Sequence, residues 1–219
     1  AVYNPLRTEF ILAARKQGAR AAGGLYMLVC QAVLASEIFL DTKYPEGTAE
    51  GIYRKIKSGK ENIVLIGMPG SGKSTVGKLL SEKLSRPYLD VDALITEKTG
   101  KTPAELISAE GEQAFRDVES EVIRSIALET GAVIATGGGA VLREENRSAL
   151  RMNGKIFFLD RPVAQLLPTK DRPLSSTKEA ILQRYHERYE LYVSTADVVI
   201  DNSTSAEEAA QQVERNFLP

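Results

Sequence analysis

Gly67-Met68-Pro69-Gly70-Ser71-Gly72-Lys73-Ser74 decides how this chain is read. The eight residues fit the spacing G-x-x-x-x-G-K-[ST]; the apolar run Ile63 to Ile66 precedes them, and Thr75 to Leu84, a stretch of helical character, follows. Strand before and helix after is the context such a loop requires. Glycine lets successive backbone N–H groups turn inward on phosphate oxygens, and a helix N-terminus adds partial positive charge. On this reading Gly67, Met68, Pro69, Gly70, Ser71, Gly72, Lys73, Ser74 and Thr75 form a cradle for nucleotide phosphates. Lys73 reaches the β- and γ-phosphates and Ser74 ligates Mg2+. The plain alternative, a Gly-rich turn, leaves the flanking pattern unexplained.

Working outward from the loop, short β-rich runs alternate with helical stretches of about 10 to 20 residues, the rhythm of a parallel sheet. The runs are Ile63 to Ile66, Tyr88 to Val91, Ala132 to Ala135, Ile156 to Leu159 and Val198 to Ile200. Each is nearly all apolar, as a strand covered on both faces must be. The expected fold is therefore α/β with a five-stranded parallel sheet. Thr102-Pro103-Ala104-Glu105, Ser176 with Glu179, and Ser205 with Glu208 have capping-box spacing and mark helix starts.

The 219 residues carry 28 Lys plus Arg against 29 Asp plus Glu, a net charge of −1, which argues against a nucleic-acid partner held by bulk charge. At 43% hydrophobic the chain has enough apolar side chain for a sizeable core. The single cysteine, Cys30, forms no internal disulfide, and the expected location is cytoplasmic. Charge is unevenly spread, with nine basic and five acidic side chains in residues 1–60 and 19 and 24 in the remainder. The split reads as two unlike segments joined by a linker: a helical segment at 1–42, the linker at 43–60, and a main domain at 61–219. In the first, Asn4 and Pro5 are expected to start a helix with Leu6, Phe10, Ala13 and Ala14 on one face. A second helix runs through Leu25, Leu28, Val29, Ala32, Val33 and Phe39 to about Leu40. Ile52, Tyr53 and Ile56 mark a helical linker.

Asp90-Val91-Asp92 closes the second run. Alternation turns both carboxylates to one face at the strand's C-terminal end, where open α/β sheets bind ligands. The bland reading of Asp92 is a helix cap for Ala93 to Lys98. Phe115-Arg116-Asp117-Val118-Glu119 lies in the long helix after Gly111, where a lone arginine by default belongs to a solvated face. His186, the one histidine, sits in a polar helix and is expected to face solvent.

Three further stretches change the weighting: Val133 to Thr136 running into Gly137-Gly138-Gly139, Asp171-Arg172-Pro173-Leu174, and Arg188-Tyr189-Glu190-Leu191-Tyr192. Asp-x-Asp, Phe-Arg-x-x-Glu, three glycines, Arg-Pro-Leu and Arg-x-x-Leu-Tyr, in this order behind the phosphate loop, resemble the shikimate kinase family over about residues 60–217. The resemblance implies a P-loop kinase core of the nucleoside-monophosphate-kinase type, with ATP as co-substrate, Mg2+, and shikimate phosphorylated at its 3-hydroxyl. It assigns Arg116 and Arg188 to the substrate carboxylate, for which a guanidinium offers bidentate, charge-assisted bonds. Asp92 matches the acid that bonds ring hydroxyls and accepts a proton, and Asp90 the one that helps hold Mg2+ beside Ser74. Gly137, Gly138 and Gly139 match the loop against the ring. Arg172 matches the lid arginine on the transferring phosphoryl group, with Pro168 to Ser176 as the lid, and Lys73 completes the catalytic set. The lid looks shortened, and Lys170 is the candidate for a second lid cation.

Tyr3-Asn4-Pro5-Leu6-Arg7-Thr8, Gly18-Ala19 and Gly24 to Ala32 resemble the C-terminal end of shikimate dehydrogenase over about residues 1–40. That implies a preceding or associated dehydrogenase domain; an unrelated helical hairpin is the alternative. Rivals for the main domain are a gluconate-type or nucleoside-monophosphate kinase and a non-catalytic nucleotide switch. The switch would not need Asp92, Arg116 and Arg188.

Overall fold

The structure is a computed structural model and describes residues 2–166 and 178–218. In chain order the elements are α1 (Glu9–Lys16), α2 (Leu25–Leu40), α3 (Thr48–Lys60), β1 (Asn62–Ile66), α4 (Lys73–Leu84), β2 (Tyr88–Asp90), α5 (Val91–Thr99), α6 (Pro103–Ile126), β3 (Val133–Ala135), α7 (Glu144–Asn153), β4 (Gly154–Asp160), α8 (Lys178–Thr195), β5 (Val198–Asp201) and α9 (Ala206–Phe217). The strands form one sheet in the order β2-β3-β1-β4-β5, parallel throughout. All five expected strands are present, with ends moved by one or two residues.

β1 is the central strand, and its apolar run Ile63 to Ile66 follows from having both faces covered. Val64 and Ile66 pack with Ile95, Ile123 and Tyr192 in one layer. Ile63 and Leu65 turn the other way, onto Leu80 of α4 and Val213 of α9. Thr102 and Glu105 form both halves of the capping box that starts α6, and Ser205 caps α9 by accepting from the Glu208 N–H. The expected cap at Ser176 lies outside the described residues. Gly111, at φ +91°, breaks α6 into two helical halves, and the second carries Arg116.

The N-terminal helices stand where the periodicity placed them, with one correction. α1 starts at Glu9 and not at Asn4 or Pro5, because Thr8 is the cap, its hydroxyl accepting from the Ile11 N–H. The backbone before it is committed elsewhere: Leu6 N–H donates to Asn153 Oδ1 at 2.8 Å and Arg7 N–H to the Met152 carbonyl at 2.9 Å. Arg7 also reaches Glu61 Oε1 at 2.8 Å and the Gly154 carbonyl at 2.7 Å, fastening this segment to the starts of β1 and β4. In consequence Ile11 is the buried residue of α1, whereas Phe10 is 81% exposed. Leu6, Leu25 and Val29 form a small separate core with Val33, Ala49 and Tyr53. Among the described residues no helix is long and apolar enough to cross a membrane.

Candidate active site

The turn from β1 into α4 is built by backbone that only glycine adopts readily. Gly70 and Gly72 have φ of +83° and +86°, and Gly72 is the residue from which α4 begins. Lys73 Nζ donates to the Gly67 and Met68 carbonyls, both at 2.9 Å, so the loop curls around its own lysine. Asn202, at the end of β5, donates to the Ser71 carbonyl at 2.5 Å and is itself 1% exposed. Pro69, Gly70, Gly72, Lys73, Ser74 and Thr75 line the cavity above this loop. Gly67, Met68 and Ser71 lie beneath it as support.

Asp90 and Asp92 both line the cavity, but they do different things. The strand stops at Asp90, and Asp90 caps α5, its Oδ1 accepting from the Asp92 and Ala93 N–H groups at 3.1 and 3.4 Å. The cap reading considered for Asp92 therefore belongs to its neighbour. Asp92 sits in the first turn of α5, on helical and not strand backbone. Asp90 Oδ2 accepts from Ser74 Oγ at 3.0 Å and from the Tyr88 hydroxyl at 2.8 Å. A hydroxyl and a carboxylate oxygen thus meet at the edge of the phosphate loop. These are the hard oxygen donors that Mg2+ takes in small number, the rest of its shell coming from water and phosphate.

Arg116 and Glu119, one turn apart on α6, form a buried pair at 2.7 Å, with Glu112 at 3.1 Å on the other guanidinium nitrogen. Glu119 is fully buried, and burial pushes its carboxyl above the ordinary value while Arg116 pulls it back. Its Oε1 has no hydrogen-bond partner among the described residues and faces Gly137, where an added Cβ would come within 2.7 Å of it and 3.1 Å of Asp92 Oδ1. A Cβ on Gly138 would strike Pro69 at 2.6 Å, and one on Gly139 would overlap the Arg116 guanidinium. The three glycines are the spacer that lets the phosphate loop, Asp92 and Arg116 approach one another. From α8, Arg188 donates to the Gly138 carbonyl at 3.3 Å and the Tyr192 hydroxyl bonds the same oxygen. Tyr192 stacks on Phe158 at 5.0 Å, and burial pushes its hydroxyl up to about 12.

One cavity of about 280 Å3 thus gathers Lys73, Ser74, Asp90, Asp92, Arg116, the three glycines and Arg188. Arg172, Lys170 and the expected lid, Pro168 to Ser176, lie outside the described residues. His186 is exposed. Sequence reasoning assigned no role to Glu119, Tyr192, Arg184 or Asn202. The first three carried a signal, since each falls three or four residues from an arginine that had been singled out and so shares its helix face. Asn202 carried none.

A parallel sheet of this order, with a phosphate loop after its central strand and an arginine-lined pocket beside it, defines a P-loop small-molecule kinase. Comparison with known proteins narrows the class. The family model for shikimate kinase matches residues 69–217. The shikimate kinase of Clostridium botulinum strain Eklund 17B is 40% identical over 163 residues, covering 73% of this chain and 98% of that protein. That of Clostridium beijerinckii is 42% identical over 163 residues, 73% of this chain and 96% of the other. Shikimate kinase from Acinetobacter baumannii in complex with shikimate superposes with a TM-score of 0.71 at 34% identity, covering 75% of this chain and 97% of that one. The chain belongs to the shikimate kinase family.

Proposed function

We propose that the chain transfers the γ-phosphoryl group of ATP to the 3-hydroxyl of shikimate. The observation that carries the reading is the single cavity in which a phosphate loop, two carboxylates and two buried arginines converge. Phosphoryl transfer leaves a protein mainly positioning and charge stabilisation to perform, and each residue has a part in that. The loop N–H groups and Lys73 hold the phosphates. Ser74 and Asp90 would hold Mg2+, which when bound would neutralise charge on the transferring phosphoryl group. Arg116 and Arg188 hold the acceptor carboxylate, and the Gly137 to Gly139 backbone lies against the ring. Asp92 orients the attacking hydroxyl and takes its proton, a carboxylate at the edge of the phosphate loop being the available acceptor. Arg172 and Lys170 belong to the proposal on sequence grounds alone. ATP consumption measured with shikimate, gluconate and AMP tests the reading; turnover above background with shikimate only is expected, and preference for another acceptor would overturn it.

We also infer that 1–42 is a dehydrogenase-like segment, 43–60 a linker and 61–219 the kinase domain, acting in the cytoplasm fused to or beside a shikimate dehydrogenase. The resemblance of residues 1–40 supports this. Hydride transfer needs a dinucleotide site that a few helices do not supply, so the 219 residues themselves should not reduce NADP with shikimate. Such reduction above a no-enzyme control would refute that part.

A further inference from the structure

Tyr185, Arg188, Tyr189 and Tyr192 share one face of α8, their spacing of three and four residues stacking them turn upon turn. Arg188, at the edge of that face, lines the cavity, while Tyr189 and Tyr192 pack on Phe158 of β4. The face is fastened at Asp160, the last residue of β4. Asp160 Oδ1 accepts from the Tyr185 hydroxyl at 3.3 Å and Oδ2 from the Tyr189 hydroxyl at 3.1 Å. Two hydroxyls one helical turn apart thus grip the two oxygens of one carboxylate. Burial and the Asp160 carboxylate push the Tyr185 hydroxyl up to about 12, and Asp160 raises that of Tyr189 as well, so both stay protonated donors. The post they grip is rigid: the Asp160 carbonyl accepts from the Asn202 N–H at 2.9 Å, where β4 pairs with β5.

The two clamp arginines are aimed in different ways. Arg116 is braced by carboxylates of its own helix, Glu119 at 2.7 Å and Glu112 at 3.1 Å. Arg188 donates to the Gly138 carbonyl at 3.3 Å, longer than the usual N–H···O range, so its aim follows the seating of α8. A roll of the helix that freed Tyr189 would carry Arg188, its neighbour in the chain, out of line. Resting on the function proposed above, we infer that Asp160 is a positioning residue for the acceptor site: through the Tyr185 and Tyr189 hydroxyls it seats α8 so that Arg188 meets the acceptor's carboxylate. Asp160 is not among the described residues that line the cavity, so it acts through Arg188, and on acceptor binding.

The test is steady-state kinetics with shikimate and ATP, with thermal midpoints measured alongside. The variants are Asp160→Ala, Asp160→Asn, the pair Tyr185→Phe/Tyr189→Phe, Arg188→Ala, and Asp160→Ala combined with Arg188→Ala. Asp160→Ala should raise KM for shikimate roughly fivefold, the effect of a guanidinium present but misaimed, with kcat and the KM for ATP within about twofold of wild type. The tyrosine pair keeps both rings and loses only the hydroxyls, and should reproduce that rise. Asp160→Asn still offers an acceptor oxygen and should recover part of the loss. Beside Arg188→Ala, Asp160→Ala should add nothing, because the residue through which it acts is gone; a residue that only stabilises the fold would add its effect in both backgrounds. An unchanged shikimate KM in Asp160→Ala, an equal rise for ATP, or an undiminished rise beside Arg188→Ala overturns the inference, while wild-type turnover of shikimate that Arg188→Ala weakens keeps the kinase reading intact. An Arg188→Ala variant with unchanged shikimate KM overturns the clamp assignment and the inference with it, and a wild-type chain inactive on shikimate overturns the kinase reading as well. Should Asp160→Ala not fold, the tyrosine pair is carried through the same cycle and decides.

Discussion

Asn202 donates to the carbonyl of Ser71 at 2.5 Å, joining the end of β5 to a loop 131 residues earlier. The bond is buried and fixes the backbone two residues before Lys73. Asn202→Ala would leave the Ser71 carbonyl without its partner, which costs about 1–3 kcal/mol of stability in a buried site. The expected phenotype is a lower thermal midpoint and a raised KM for ATP with shikimate KM unchanged. Loss of shikimate affinity alone would show that the bond does not serve the phosphate loop.

The Gly139 backbone is close enough to Arg116 that any side chain there must displace the guanidinium. Gly139→Ala should therefore act as an arginine mutation made from a distance. Shikimate KM should rise by tenfold or more, on the order of 1.4 kcal/mol or above, while ATP binding by calorimetry stays as in wild type. Equal losses for both substrates would mean that the loop itself had collapsed.

Glu119 makes stability pH-dependent in a way that can be isolated. Its carboxyl is raised above 4.5 in the folded chain, so between 4.5 and the raised value the native state holds more protons than the unfolded state. Stability from this group is full below 4.5 and is lost as pH rises through the folded value. The difference in unfolding free energy between wild type and Glu119→Gln, measured by denaturant titration across pH 4 to 8, should fall through that window and then level off. Arg116→Ala strips the carboxylate of its counter-charge, costing about 3–5 kcal/mol, and should extend the fall to higher pH while leaving its onset in place. A flat difference across the range would contradict the burial of an ionisable Glu119.

Lys73 and Asp92 should separate charge from orientation. Lys73→Ala removes a fixed cation from the developing phosphoryl charge and also the two bonds to the Gly67 and Met68 carbonyls, so kcat should collapse by 10²-fold or more, in the range of a lost electrostatic stabiliser. Asp92→Asn should bind ATP normally yet lose turnover and its acid limb in the pH–rate profile. Wild-type kinetics in Asp92→Asn would leave Asp92 only a polar residue in the first turn of α5.

Nearly all of the sheet was legible because its inner strands are buried on both faces, which makes Ile63 to Ile66 and Ile156 to Leu159 continuously apolar. The phosphate loop was legible because glycine at positive φ leaves a spacing in the chain. Asp90 and Asp92 were placed on one face because alternate residues in a strand share a face; the strand in fact ends at Asp90, and its carboxylate turns back to cap α5. Position 10 was grouped on one face with Leu6, Ala13 and Ala14 in a helix begun too early, since nothing local shows that Arg7 is claimed by Glu61 and Gly154. Asn202 was invisible for the same reason, its meaning lying wholly in a contact 131 residues away.

That Arg7 contact also decides how the molecule bears load. The extension is fastened where β1 and β4 begin, while the phosphate loop leaves β1 at its far end, five residues and roughly 16 Å away. Tension applied through residues 2–60 enters at the middle of the sheet, at the starts of the two parallel strands β1 and β4 together. The edge strands and the reacting end stay outside the line of force. A chain held to a surface, or to another protein, by this end keeps its cavity facing away from the anchor.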